Sequence, residues 1–216
     1  MVKKAITYIV IVVIIGLTIN YSINGDYLNV KASKKPDENI DKEEKISIKE
    51  KDNKNITIRK FIKDETNLNE KESDYLVSQS QEKGLDIFMI LGLIKLESNF
   101  NDRLVGTSGE RGLGQIMDIT GRQLAENMGL DYHPDLLFDS KYNIRLFTTH
   151  LSYLIKYYDS DIHRALTAYN RGQNGLKKYI ASRGNINNPA RSIYSSRVIE
   201  LSNEFKVKFH NYTNKK

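Results

Sequence analysis

Glu97 closes an apolar run and opens a glycine-rich one: residues 84–117 read GLDIFMILGLIKLESNFNDRLVGTSGERGLGQIM. Ile87, Ile90, Leu91 and Ile94 recur at helical spacing, which predicts a helix with a buried stripe. Glu97 falls three residues after Ile94 and seven after Ile90, so that helix projects its carboxylate from the apolar face. Desolvation there favours the neutral acid and raises its pKa toward the working range of a general acid. The plainer reading is a helix-end glutamate that turns to water or pairs with Lys95. Taken alone, the residue fits that plainer reading better. Other chemistry is scarce. Cysteine is absent, which removes disulfides, thiolate nucleophiles and cysteine-based zinc sites. The histidines, His133, His150, His163 and His210, form no HxxxH or HExxH pair, so no metal site and no cofactor are expected.

The elements that must hold Glu97 follow from local pattern. ESDYLVSQSQEKG places Tyr75, Leu76 and Gln79 at helical intervals, and Gly84 can stop that helix. Asp86 can cap the helix that carries Glu97. Residues 99–114 hold four glycines and ordinary loop residues, a long turn lying over that helix. Helical spacing returns through Ile116, Ile119, Leu124 and Met128. Asp139 or Ser140 can cap a further helix over residues 142–157, with Ile144, Phe147, Leu151, Leu154 and Ile155 as its apolar stripe. Asp161 starts another, DIHRALTAYNRG, which stops at Gly172; two more follow, at residues 176–181 and 192–209. No alternating strand pattern survives past residue 70, so the expected fold class is all-α.

The first 70 residues have a different character. Lys3 and Lys4 precede AITYIVIVVIIGLTI at residues 5–19. With residues 20–23 included, this approaches the ~20 residues that cross a bilayer. The leading lysines keep the N-terminus in the cytoplasm and export the rest. The segment is either a retained signal-anchor or a signal peptide cut after Ala32 in VKA-S. Residues 26–69 are dense in Lys, Asp, Glu and Asn with scattered isoleucines, which predicts disorder or a loosely helical stalk. The expected organisation is a transmembrane segment over residues 1–24, a charged flexible linker over 25–70 and a helical domain over 71–212. The 216-residue chain carries a formal net charge of +6, and over residues 81–216 Lys and Arg outnumber Asp and Glu 19 to 14. That mild excess suits an anionic polymer, and without a clustered basic tract a nucleic-acid partner is not expected.

Three motifs share the exported domain: ESNFN at 97–101, GERGLGQIM at 109–117 and AYNRG at 168–172. Together with DLLFDSKYNI and RSIYSSRV, and in this order, they resemble the soluble lytic transglycosylase domain, a lysozyme-like fold related to goose-type lysozyme. The resemblance covers about residues 73–205, and Gln115 lies eighteen residues after Glu97, as is usual there. It implies Glu97 as the catalytic acid. It implies Gln115 and Met117 lining a sugar-binding groove, Tyr169 hydrogen-bonding near the carboxylate with Asn170 beside it, and Tyr194 as a late groove tyrosine. Ser98 either supports the turn after the helix or touches the site. Gly112, Gly114 and Gly172 read as backbone necessities. The chain departs from the family where Gly106 stands for a common serine, Asp118 for a proline, and Ala190 for an acid.

What the resemblance implies is cleavage of the β-1,4 bond between N-acetylmuramic acid and N-acetylglucosamine, with a 1,6-anhydro product. Glu97 would serve as acid and then as base. Asp102, Glu110 and Asp118 follow Glu97, but none falls where a second catalytic carboxylate is demanded. The implied partners are peptidoglycan strands and, through the apolar segment, the membrane, with an envelope-spanning machinery as a further partner. Two alternatives stay open: a goose-type muramidase that uses water, and a non-catalytic wall-binding module of a secretion, conjugation or sporulation apparatus.

Overall fold

The computed structural model describes residues 38–184 and 186–214, with side chains from residue 52 onward. The expected transmembrane segment over residues 1–24 and the cleavage site after Ala32 lie outside the described residues. Among the described residues, no helix is long and apolar enough to cross a membrane. The described residues form seven α-helices and one short 3-10 helix (Pro134–Phe138), in order α1 Glu38–Glu65, α2 Glu70–Glu82, α3 Ile87–Glu97, α4 Asp118–Asn127, α5 Ser140–Tyr157, α6 Ile162–Ala181 and α7 Ile193–Asn214. No strand is present among the described residues, only two isolated bridges at Val105–Arg111 and Arg111–Ile116. The all-α expectation agrees with this architecture.

Helix starts are written in short polar side chains. Asn69 and Glu72 form a reciprocal capping box at α2. Asp86 accepts the Phe88 N–H at 2.9 Å, Asp139 the Tyr142 N–H at 2.7 Å, and Asp161 the Arg164 N–H at 3.0 Å. Gly84, at φ 64°, ends α2 in the left-handed region, and the Leu85 N–H returns to Ser80 O at 2.8 Å. Gly172 breaks α6 with φ 70° and ψ 161°, so Tyr169 and Asn170 sit in the last turn before the kink.

Helix α3 forms the centre of the core. Met89, Ile90, Leu91, Leu93 and Ile94 are all buried, more than the single stripe that its spacing suggested. It packs against α7 closely: a Cβ on Gly92 would lie 2.7 Å from Val198 O and 2.8 Å from Ser202 N, both backbone atoms of α7. Around it the core takes in Leu76 and Val77 of α2, Ile144, Phe147 and Leu151 of α5, Leu166 of α6, and Val198 and Phe205 of α7.

Two stretches show what local pattern left open. The linker expected over residues 25–70 is helical from Glu38 to Glu65, and from Ile58 onward it belongs to the core. Phe61 is fully buried and meets Phe205, Phe209 and Tyr212 edge-on, with ring centroids 6.5, 5.2 and 5.5 Å away. Its charged surroundings concealed an i, i+3, i+4 apolar set, Ile58, Phe61 and Ile62, all buried in the core. Ile119, one of the residues that carry the helical spacing here, is 73% exposed. Helix α4 begins only at Asp118 and buries Gly121 and Ala125 instead, because Tyr132 lies across it and donates to Asp118 Oδ1 at 2.9 Å.

Candidate active site

Glu97 is the last residue of α3 and is partly buried. Its carboxylate accepts a short hydrogen bond from the Tyr194 hydroxyl, which arrives from the first turn of α7. Burial pushes the Glu97 pKa up to about 7; the Tyr194 hydrogen bond pulls it back, and the charge of Glu110 adds to the rise. Near neutrality the group therefore exists in both forms, as a residue that must give and then retake a proton requires. Tyr169 and Tyr194 are themselves held neutral, their phenols pushed well up by burial and by the Glu97 charge.

The glycine-rich segment lies against Glu97 without a strand or helix of its own. Three helices clasp it through side chains. Ser98, the C-cap of α3, donates to Leu113 O at 2.9 Å and to Ile94 O at 3.3 Å. Asn143 of α5, fully buried, donates to Arg111 O at 3.0 Å and Leu137 O at 2.8 Å and accepts the Gly114 N–H at 2.9 Å. Tyr169 of α6 donates to Gly114 O at 2.7 Å. The approach is close enough that a Cβ on Gly114 would stand 2.7 Å from the Phe147 ring, and one on Gly112 would overlap Asn143 and Leu137 O. Gln115, at φ 45°, turns its amide inward, donating to Gly112 O at 2.9 Å and Leu104 O at 3.1 Å.

Tyr194 is positioned by a second polar knot. The Ser195 N–H donates to Ser192 Oγ at 3.0 Å and the Ser192 N–H to Ser195 Oγ at 3.0 Å, closing the start of α7 reciprocally. Thr167 of α6 donates to Ala190 O at 2.8 Å and shares a 2.8 Å contact with Ser192 Oγ. His163 Nδ1 lies 2.9 Å from Ser195 Oγ. These contacts tie the segment before Tyr194 to the helix that carries Tyr169.

The structure thus brings Glu97, Tyr169 and Tyr194 into one cluster. Of the two phenols, Tyr194 bonds the carboxylate, while Tyr169 donates to the backbone. Ser98 is buried with its hydroxyl engaged by two carbonyls, so of its two readings the supporting one agrees with its contacts. Met117 is 38% exposed just before α4, and Asn170 is exposed beside Tyr169. A cavity of about 560 Å³ is lined by Asn67, Asn69, Glu72, Asn99 and Asp102 rather than by Glu97. Three residues escaped the sequence reading. Asn143 had a visible sign, a buried-register amide next to Ile144. His150, whose ring lies 5.5 Å from that of Tyr169 and whose pKa burial lowers to about 4, had none. Glu110 was weighed only as a second catalytic group.

Comparison with known proteins points one way. The profile of the "Transglycosylase SLT domain" family matches residues 74–190. "Membrane-bound lytic murein transglycosylase C" of Photorhabdus laumondii is 34% identical over 118 residues, half of this chain and 33% of that protein. The protein of the same name from Yersinia enterocolitica matches at the same identity and coverage. A "Putative soluble lytic murein transglycosylase" of Haemophilus influenzae is 29% identical over 110 residues, half of this chain and 18% of that protein. The chain therefore spans a third or less of the length of these relatives. Among solved structures, the 70 kDa soluble lytic transglycosylase of Escherichia coli superposes with a TM-score of 0.56 at 20% identity, covering 62% of this chain and 24% of that one. Lytic transglycosylase Slt of Pseudomonas aeruginosa, solved as an inactive mutant, gives 0.54 at the same identity and the same coverage of both chains. The structural likeness speaks for the fold, and the profile, spanning more than half of the 216 residues, for the family: this chain belongs to the transglycosylase SLT domain family.

Proposed function

We propose that the chain is a peptidoglycan lytic transglycosylase in which Glu97 acts first as acid and then as base. One observation carries the reading: a carboxyl at the end of a buried helix, raised to about 7 and hydrogen-bonded by Tyr194, inside a domain of this family. Protonated Glu97 gives its proton to the β-1,4 oxygen between N-acetylmuramic acid and N-acetylglucosamine, and the C1–oxygen bond breaks. The muramyl acetamide supports the developing cation from below the ring. The C6 hydroxyl then closes onto C1, its proton passing to the Glu97 carboxylate, and a 1,6-anhydro sugar leaves. Tyr194 steadies the carboxylate in its charged interval and Tyr169 holds the loop wall. Gln115, Met117 and Asn170 line the sugar path. The apolar segment at residues 5–19 behind Lys3 and Lys4 supports anchoring in the membrane, with this domain on the outer side.

The experiment is digestion of purified peptidoglycan followed by mass spectrometry. Anhydro-muropeptides are expected, about 18 Da lighter than the products of hydrolysis. Glu97→Gln should lower their release by at least about 100-fold, the usual contribution of a general acid. Wild-type release by that variant would refute the assignment. Products carrying the added water would move the chain to the muramidases.

A further inference from the structure

The end of α6 and the start of α7 enclose a pocket of about 410 Å³, whose walls include Tyr179, Arg183, Arg191, Ser192, Ser196 and Arg197. Three guanidinium groups therefore share one space, and they are not equally neutralised. Arg197 pairs with Glu200 at 2.7 Å and with Glu204 at 3.2 Å. Arg183 has no carboxylate partner among the described residues. It lies over the Tyr179 ring, 4.9 Å from the centroid, and its buried Nε meets no acceptor. Arg191 donates from Nε to Ser196 Oγ at 3.2 Å and likewise has no carboxylate partner among the described residues. Arg171, 4.6 Å from the same Tyr179 centroid, adds a further positive charge beside the ring.

We propose that this pocket is an oxyanion-binding site, which takes a carboxylate or phosphate group carried by the cell-wall polymer. The identity of the carrier rests on the peptidoglycan reading given above. A guanidinium held by stacking rather than by hydrogen bonds keeps its planar fork of donors for a ligand, and that fork matches two oxygens of one carboxylate or phosphate. The walls are fixed before any ligand arrives: the Tyr179 hydroxyl donates to Arg191 O at 3.2 Å, which ties the segment carrying Arg191 to α6. Helix α7, 22 residues long, starts at the pocket with no acidic residue in its first turn, so its positive end adds to the field of the arginines. Ser192 and Ile193 belong to the pocket, and the next residue, Tyr194, bonds Glu97. An anion seated here would therefore hold its carrier against the same turn that serves the acid.

The first test is an NMR titration of the isotope-labelled full-length chain with inorganic phosphate at constant ionic strength. The backbone amides of Ser192 and Ser196 should shift and saturate, together with the Nε–H signals of Arg183 and Arg191. Arg183→Gln and Arg191→Gln should each raise the Kd read from those amides about tenfold, as loss of a charge-assisted hydrogen bond does. Lys177→Gln removes the same charge from the exposed surface of α6 and should keep the wild-type Kd. Shifts that never saturate, or equal weakening in all three variants, overturn the proposal; if Arg183→Gln fails to fold, Arg191→Gln decides. The second test is co-sedimentation with purified cell wall in a Glu97→Gln background, where Arg191→Gln should bind more weakly than its parent. Hydrofluoric acid, which cleaves phosphodiesters, abolishes that difference if the ligand is a polymer phosphate. An amidase that removes peptide stems abolishes it if the ligand is a stem carboxylate. A difference that survives both treatments together overturns the assignment to a wall oxyanion. Absence of glycan cleavage refutes the acid–base reading and leaves the phosphate titration unaffected, so the two failures are distinct.

Discussion

The carboxyl of Glu97 is better tolerated protonated than charged, and the fold registers that preference. Its pKa of about 7 stands above the ordinary carboxylate value of 4.5. For an acid whose folded pKa is raised, the folded state binds the proton more tightly than the unfolded chain. The contribution of this group to stability is therefore greatest below about pH 4.5 and falls as pH rises to about 7, then levels. Glu97→Gln removes this titration. Urea midpoints should show the variant more stable by about 1–3 kcal/mol at pH 8, the gap closing near pH 4. The proposed acid is paid for in stability, a trade common at active sites. Glu97 could be found in the sequence because a carboxylate on an apolar face breaks a visible pattern. The choice between Tyr169 and Tyr194 could not. It depends on where the start of α7 crosses the end of α3, and no local signal records a crossing.

At the scale of elements, the site is a matter of how α3 and α7 approach. Gly92 permits that approach, its missing Cβ leaving room for the α7 backbone at Val198 and Ser202. Alanine would gain about 1 kcal/mol in helix propensity. It would also meet backbone atoms at 2.7 and 2.8 Å, which cannot rotate away as a side-chain tip could. Overpacking of that kind costs about 1–3 kcal/mol, so Gly92→Ala should be net destabilising in thermal or urea unfolding. It should also reduce kcat, because spreading the two helices stretches the Tyr194–Glu97 bond. The helices themselves were largely legible: Asp86, Asp139 and Asp161 cap where the sequence placed caps, and Gly172 breaks α6 where a stop was expected. Helix α4 forms where helical spacing returned, yet Ile119 keeps the period while facing water. Tyr132, fourteen residues away from Asp118, decided that face.

For the molecule as a whole, the late part of α1 is an integral wall of the domain. Tyr212 donates to Asp64 at 2.7 Å, Lys208 pairs with Glu65 at 3.2 Å and Arg59 with Asp74 at 3.3 Å, but such exposed contacts contribute little. Phe61 is the anchor. Phe61→Ala should lower the free energy of unfolding by about 3–5 kcal/mol in urea titration while leaving the pH profile of cleavage unchanged. The sequence concealed this because a single apolar turn among many charges has too short a period to stand out. The glycine-rich wall beside Glu97 shows the same dependence on distant parts. Serine, asparagine and tyrosine from α3, α5 and α6 grip the peptide groups at Arg111, Leu113 and Gly114. A ribbon with no regular structure of its own thus borrows the stiffness of three helices. Side chains on its outer side can be exchanged while the peptide groups beneath them keep one shape for as long as the bundle stays shut.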